Sequence, residues 1–241
     1  MSARDRLWPL WGAAAGLAGL TATIVFDTRP TSEMEAAERG EDFLVTPDVM
    51  DELTRMPNYL GFLFGFAAVA LLVVFAGAWR SRVEQQHPRS IAASVVSGGA
   101  LVTAAGLALG YGWKGALANY GYDGPESGLY GDQGLFVYFI LTDFGPYIPW
   151  VGVLVSFAGI AWMAWAERLV SRVLGTLTAL YVVFIVGAFI VMGVPGLAGP
   201  LSGAWLAIVG IWLAVGRSRV TLRPLTVAAR EPRDAAPATA P

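Results

Sequence analysis

Six long apolar stretches, joined by connections alternately poor and rich in arginine, constrain this chain more than any other feature. The hydrocarbon core of a bilayer takes roughly 20 apolar residues per helix. With 56% hydrophobic and only 14% charged residues, most of the 241-residue chain is accounted for by such segments. Peptide groups cannot stay unpaired in lipid, so only helices or a closed barrel span it, and continuous apolar runs without period-2 alternation exclude the barrel. The expected fold is all-α, a polytopic membrane protein.

The hydropathy pattern predicts spans at about Trp8 to Phe26, Tyr59 to Trp79 and Ile91 to Trp113. A long apolar tract then runs from Gly134 to Ala166, more than one straight helix needs, and Pro146 and Pro149 interrupt it by removing backbone donors. It divides into a short segment, 134–145, and a fourth span, 147–166. The fifth span is expected at about Leu169 to Val194 and the sixth at Leu201 to Gly216, with Pro195 and Pro200 bracketing the connection.

Charge tests that count independently, because short connections rich in Arg and Lys stay on the cytoplasmic side. Arg4, Arg6, Arg80, Arg82, Arg89, Arg168, Arg172, Arg217, Arg219, Arg223, Arg230 and Arg233 all fall on one side of a six-span arrangement. The other side holds only Arg29, Arg39, Arg55 and Lys114, and most of the acids. Both termini are therefore expected in the cytoplasm. A full crossing by 134–145 would put Arg168 and Arg172 outside, so that segment is expected to be re-entrant or interfacial. Residues 1–216 then form a single six-helix transmembrane domain, and the polar tail 217–241 has too little hydrophobicity to fold. Arg4 and Arg6 also precede the first span as they would a secretory signal, but the segment is long and lacks a small-x-small site before Asp27.

The acidic outer loop 27–56 carries two helix-start signals. Ser32 with Glu35 forms a capping-box pattern ahead of Glu33 to Arg39, which Gly40 would stop, and Thr46-Pro47 would cap a helix of about Asp48 to Met56. Such a loop serves as a docking surface or lid, or is simply solvated. A second outer loop, 119–133, mixes Gly with Tyr. Its Asp123, Glu126 and Asp132 offer oxygen ligands for calcium, although the spacing matches no EF-hand and tyrosines at this depth are ordinary interfacial anchors.

Asp143, directly before a Gly-Pro break, is the one acid inside a strongly apolar tract, and an ionisable group at membrane depth points to function. In a broken helix it would face a water-filled vestibule with Lys114 as counter-charge and Tyr111, Tyr138 and Tyr147 nearby. Alternatively the segment lies at the outer surface, Asp143 meets water, and Lys114 snorkels. Small residues four apart let membrane helices approach, and Gly12 with Gly16, Gly61 with Gly65, Gly106 with Gly110 and Gly199 with Gly203 fit that pattern. Trp8, Trp11, Trp79, Trp113, Trp150 and Trp165 fall near span ends, as interfacial anchors do.

The chemistry available is narrow. There is no cysteine, which removes disulfides, thiolate metal sites and thiol catalysis. The only histidine, His87, lies in a cytoplasmic loop, so neither intramembrane haem ligation nor a Ser-His-Asp arrangement is available. No phosphate-cradling Walker loop occurs, no cofactor is implied, and nothing points to nucleic acid. The inner arginines would favour anionic lipids at the cytoplasmic face.

One lysine against fifteen arginines, with abundant Ala, Gly and Val, resembles the composition of high-GC bacteria. Segments such as NYLGFLFGFAAVALLVVFAGAWR and TALYVVFIVGAFIVMGVPGLAGPLSGAWLAIVGIWLAV resemble the uncharacterised six-helix integral membrane proteins common in actinobacteria. That resemblance implies a bacterial plasma-membrane location and carries over no activity and no functional residue.

Three functions fit. The first is a non-enzymatic accessory subunit, scaffold or sensor that contacts another membrane protein or a second copy of itself. The second is a small transporter or ligand-binding protein built around Asp143. The third, an intramembrane lipid-modifying enzyme, needs at least two converging acids or an acid and a base, and only one candidate is visible. Reporter fusions to the two chain ends are expected to place both on the cytoplasmic face. Ends on opposite faces would refute the even number of crossings.

Overall fold

Backbone pairing in the computed structural model, which describes residues 6–193, 195–216 and 218–222, is helical throughout, with no strand among the described residues. The helices are α1 (Leu10–Leu20), α2 (Thr31–Arg39), α3 (Arg55–Trp79), α4 (Ile91–Tyr120), α5 (Asp132–Phe144), α6 (Val151–Trp165), α7 (Arg172–Met192), α8 (Ala198–Val215) and α9 (Arg219–Leu222). Five helical stretches are long and apolar enough to cross a membrane: Arg55–Glu84, Ile91–Tyr120, Asp132–Trp165, Arg172–Met192 and Ala198–Val215. Leu10–Val25 is apolar but shorter, and at 1.5 Å per residue reaches about 24 Å against roughly 30 Å of hydrocarbon.

The helices pack in a chain of neighbours, with α1 between α3 and α8, α4 between α3 and α6, and α7 on the outside of α6. Small residues set these approaches. A Cβ on Gly16 would collide with the carbonyl oxygen of Gly203 across the α1–α8 contact, and one on Gly203 would stand 3.0 Å from the Gly16 oxygen. Gly99 on α4 and Gly152 on α6 face each other in the same way. Side chains on the remaining faces point outward and are apolar, as at Val183, Ile190 and Val191 of α7, while Leu72, Leu107, Phe157 and Met163 fill the centre.

Several of the tryptophans near span ends face the protein interior and not its exterior. Trp79 and Trp150 are wholly buried and Trp8 nearly so, whereas Trp11 and Trp165 are exposed. Trp79 donates its indole N–H to the Ala93 carbonyl at 2.8 Å, and Trp8 lies across Phe75 and Trp79. The small residues of the adjacent helices leave room for these rings. Gly19 sits so close to the Trp150 ring that a Cβ there would overlap it.

The tract containing Asp143 bends but does not turn back. Along α4, Val96 meets Ser156, Thr103 meets Pro149 and Val153, Gly110 meets Gly145, and Leu117 packs with Leu135 and Phe139. This monotonic antiparallel register makes α5 a continuation of α6 along α4, not a re-entrant hairpin. Gly145–Tyr147 and a 3₁₀ turn, Ile148–Trp150, form the elbow, where the prolines cannot donate. Thr103 bridges the first turn beyond the break: its hydroxyl donates to Pro149 O at 2.8 Å and accepts from Val153 N–H at 2.8 Å.

The acidic connection between α1 and α3 is ordered by contacts that lie partly outside the expected pattern. α2 begins at Thr31 and not Glu33, and Ser32 forms no capping box with Glu35. Its N–H and hydroxyl both donate to Glu52 at 2.8 Å. Gly40, at φ 70°, does stop the helix, with Glu41 N–H on Ala36 O and Gly40 N–H on Ala37 O, the Schellman pairing. The helix expected from Asp48 to Met56 is a 3₁₀ turn, Pro47–Glu52, and Met56 already belongs to α3. The tail expected to be unfolded lies outside the described residues except at 218–222, which contain α9.

Gly99→Ala is expected to destabilise the bundle by about 1–3 kcal/mol, the usual cost of overpacking. Gly98→Ala, whose Cβ would meet nothing within 4 Å, should be neutral or slightly stabilising. Thermal unfolding in detergent distinguishes the pair, and equal effects would refute the close approach.

Candidate functional site

The last turns of α1 run into a π-helical stretch, Thr21–Val25, whose widened pairing is visible in Phe26 N–H on Thr21 O at 3.2 Å. A helix end leaves carbonyls without internal partners, and inside an apolar bundle water is not there to take them. Side chains from other helices fill the role. Lys114 Nζ donates to Ala22 O at 3.1 Å and to Phe26 O, and Tyr111 donates to Gly19 O at 3.2 Å while its hydroxyl pairs with Thr23 Oγ1 at 2.9 Å. Tyr147, from the elbow, donates to Thr23 O at 3.4 Å. A cation here also meets the negative end of the α1 dipole.

The same glycine pairs read from the sequence make this possible. Gly65 leaves space that the Tyr111 ring occupies, and a Cβ on Gly61 would lie 3.0 Å from Lys114 Cδ. On α3 the pair therefore accommodates side chains from α4, not its backbone. Gly110 and Gly106 receive the elbow at Gly145 and Pro149, Gly199 receives Tyr147, and Gly12 receives the Phe75 ring.

Above this buried layer lies an ionic one. Arg29 donates to Asp143 Oδ1 at 2.6 Å, to Asp27 Oδ2 at 3.2 Å and to Glu33 Oε1 at 3.3 Å. Burial, the largest single influence on the guanidinium, opposes its charge, but Asp27, Asp143 and Glu33 together outweigh it and hold its pKa above the ordinary value. Asp143 occupies the last turn of α5, where the helix dipole disfavours a negative charge, and Arg29 compensates. Both side chains remain about a third exposed, 34% and 31%, so the pair is worth at most about 1 kcal/mol.

The expected vestibule residues thus divide. Asp143, Lys114, Tyr111 and Tyr147 do gather at one end of the bundle, in two layers. The counter-charge of Asp143 is Arg29, not Lys114, whose ammonium is taken by carbonyls. Tyr138 is elsewhere, in a ring cluster with Tyr120 and Tyr130 at centroid separations of 4.9 to 6.0 Å. Among the described residues no three acids or histidines are grouped to hold a metal ion, so Asp123, Glu126 and Asp132 do not assemble the calcium site considered for them. Asp132 instead accepts from Tyr122, which holds that phenol above its ordinary range.

Arg29, Thr23 and Glu33 were missed by reading the sequence. Arg29 stands 114 positions from Asp143, and its only local signal was a lone arginine among acids just beyond the first span. Comparison with known protein families, with curated proteins and with solved structures finds no match.

What the cluster can do chemically is limited by how its donors are spent, although Glu33 Oε2 and Thr28 Oγ1 are buried without a partner. It holds one buried cation bonded to two carbonyls and one guanidinium shared by three carboxylates, with no general base beside a nucleophile. Lys114→Met should cost about 1–3 kcal/mol, since it strands two buried carbonyls. Arg29→Gln should change global stability by less than about 1 kcal/mol yet raise amide exchange across residues 27–33. Hydrogen exchange with thermal unfolding reads both, and a reversed order of the two effects would refute this assignment of layers.

Proposed function

We propose that this chain is a six-span protein of the bacterial plasma membrane, with both ends in the cytoplasm. In this reading it acts without catalysis, as an accessory subunit, scaffold or sensor that meets its partner through the acidic outer face. Three features support the membrane part: five helical stretches of spanning length, an apolar exterior on their free faces, and the one-sided distribution of arginine. The first crossing would be made by Leu10–Val25 with its flanking residues, its short length being compensated by local bilayer thinning.

The single observation favouring the accessory role is that the donors of the cluster around Asp143 are spent within the chain. Lys114, Tyr111, Tyr147 and Arg29 all direct their donors at groups of this chain, which leaves a small ligand little to bind. What an external partner meets instead is α2, with Glu35 and Glu38 exposed. A transporter built on Asp143 would have to open the Arg29–Asp143 pair first.

Extraction in a gentle detergent and mass spectrometry of whatever stays bound separates these readings. The expected result is a stoichiometric membrane protein that is lost from the Glu35→Lys, Glu38→Lys double variant. A chain recovered without protein partner but with a small molecule that Asp143→Asn releases would overturn the accessory role in favour of transport.

A further inference from the structure

We infer that a groove between α3 and α4, at the acidic end of the bundle, binds the phosphate of a glycerophospholipid and lays an acyl chain along the helices below it. The inference rests on the reading that these helices span a bilayer. The groove encloses about 270 Å³ and is lined by Arg55, Tyr59 and Phe62 of α3 and by Gly112, Gly115 and Asn119 of α4.

Its charge is what singles it out. Four basic residues belong to this end of the molecule, and three are spoken for. Arg29 is shared by Asp27, Glu33 and Asp143, Arg39 is paired with Glu35 and Glu41, and Lys114 is buried on the carbonyls of Ala22 and Phe26. Arg55 and Lys114 are the two of these with no carboxylate in ion-pair contact among the described residues, and of the two only Arg55 lines a groove, Lys114 being buried. Arg55 Nε donates to Ala118 O at 3.1 Å and its guanidinium lies 5.3 Å over the Tyr59 ring, an arrangement that fixes the head of the side chain at the mouth of the groove. The two terminal amino groups keep their N–H donors, in the fork geometry that suits a phosphate.

Below Arg55 the groove turns apolar and stays open. Gly112 contributes no side chain, and a Cβ there would meet nothing within 4 Å, so the gap is real space on the helix surface. The Phe62 ring forms the floor, close enough to Gly115 that a Cβ on that residue would stand 2.8 Å away. Leu63, Phe66 and Leu109 are all more than 40% exposed and continue the apolar surface. From Arg55 to Phe62 the helix rises about 10 Å, the depth from a headgroup into the first methylenes of a chain. A free phosphate would have no use for this lower part, and a partner helix would have none for an unpaired guanidinium. A lipid uses both.

The test is native mass spectrometry, with thermal unfolding, of the detergent-purified full chain titrated with phosphatidylglycerol. Diacylglycerol and glycerol phosphate serve as the tail-only and head-only probes. A bound phosphatidylglycerol with neither probe retained is the expected result. Arg55→Gln should weaken it about tenfold or more, as loss of a charge-assisted contact does. Gly112→Leu, whose Cβ would meet nothing within 4 Å and whose side chain would occupy the groove, should weaken it independently. Unchanged occupancy in both variants, or equal retention of diacylglycerol, overturns the proposal. Resistance of the chain to carbonate washing of membranes is scored first. A chain that washes off loses the bilayer reading and the groove with it, whereas one that stays and binds no lipid loses the groove alone.

Discussion

The free carbonyls at the end of the first helix are the constraint around which one end of this molecule is organised. A helix that stops within an apolar bundle leaves acceptors that lipid cannot satisfy. Here a lysine and two tyrosines from distant parts of the chain reach them. Each of those side chains needs room, which explains why α3 carries glycine at 61 and 65 and α8 carries it at 199. The elbow before α6 then follows from Tyr147, which must approach both α1 and α8 to donate to Thr23.

The ionic layer depends on that arrangement without contributing much to it. Arg29 reaches Asp143 because α1 ends beside the elbow, and the exposure of the pair keeps its worth low. Its effect is to tie the connection 27–33 to α5. The rest of that connection is tied to the 3₁₀ turn by Glu52, so the acidic surface stands on two separate anchors.

Much of the architecture was legible because it follows from hydropathy and from residue size. The span positions emerge within a few residues for α3, α7 and α8, and the glycine pairs stand at close approaches, since both signals are local in sequence. The extension of α4 to Tyr120 was not legible, because its last two turns are mixed in polarity and are held by packing on Leu135 and Phe139. Side-chain partners were harder still. Nothing around Lys114 announces that it caps α1, and nothing around Arg29 announces Asp143, as both pairings depend on how helices far apart in the chain are brought together. The burial of Trp79 and Trp150 was not legible for a related reason: a tryptophan near a span end looks the same in sequence whether it faces outward or the interior.

The hydroxyl of Thr103 is spliced between Pro149 O and Val153 N–H, and this determines the mechanics of the bent stretch Asp132–Trp165. A proline break with vacant backbone groups is a swivel, since either side can turn at little cost. With the vacancy filled by a neighbouring helix, the bend becomes a bracket bolted to α4. The pin holds the start of α6, so any turning at the break is confined to Gly145–Tyr147, on the α5 side of the bracket.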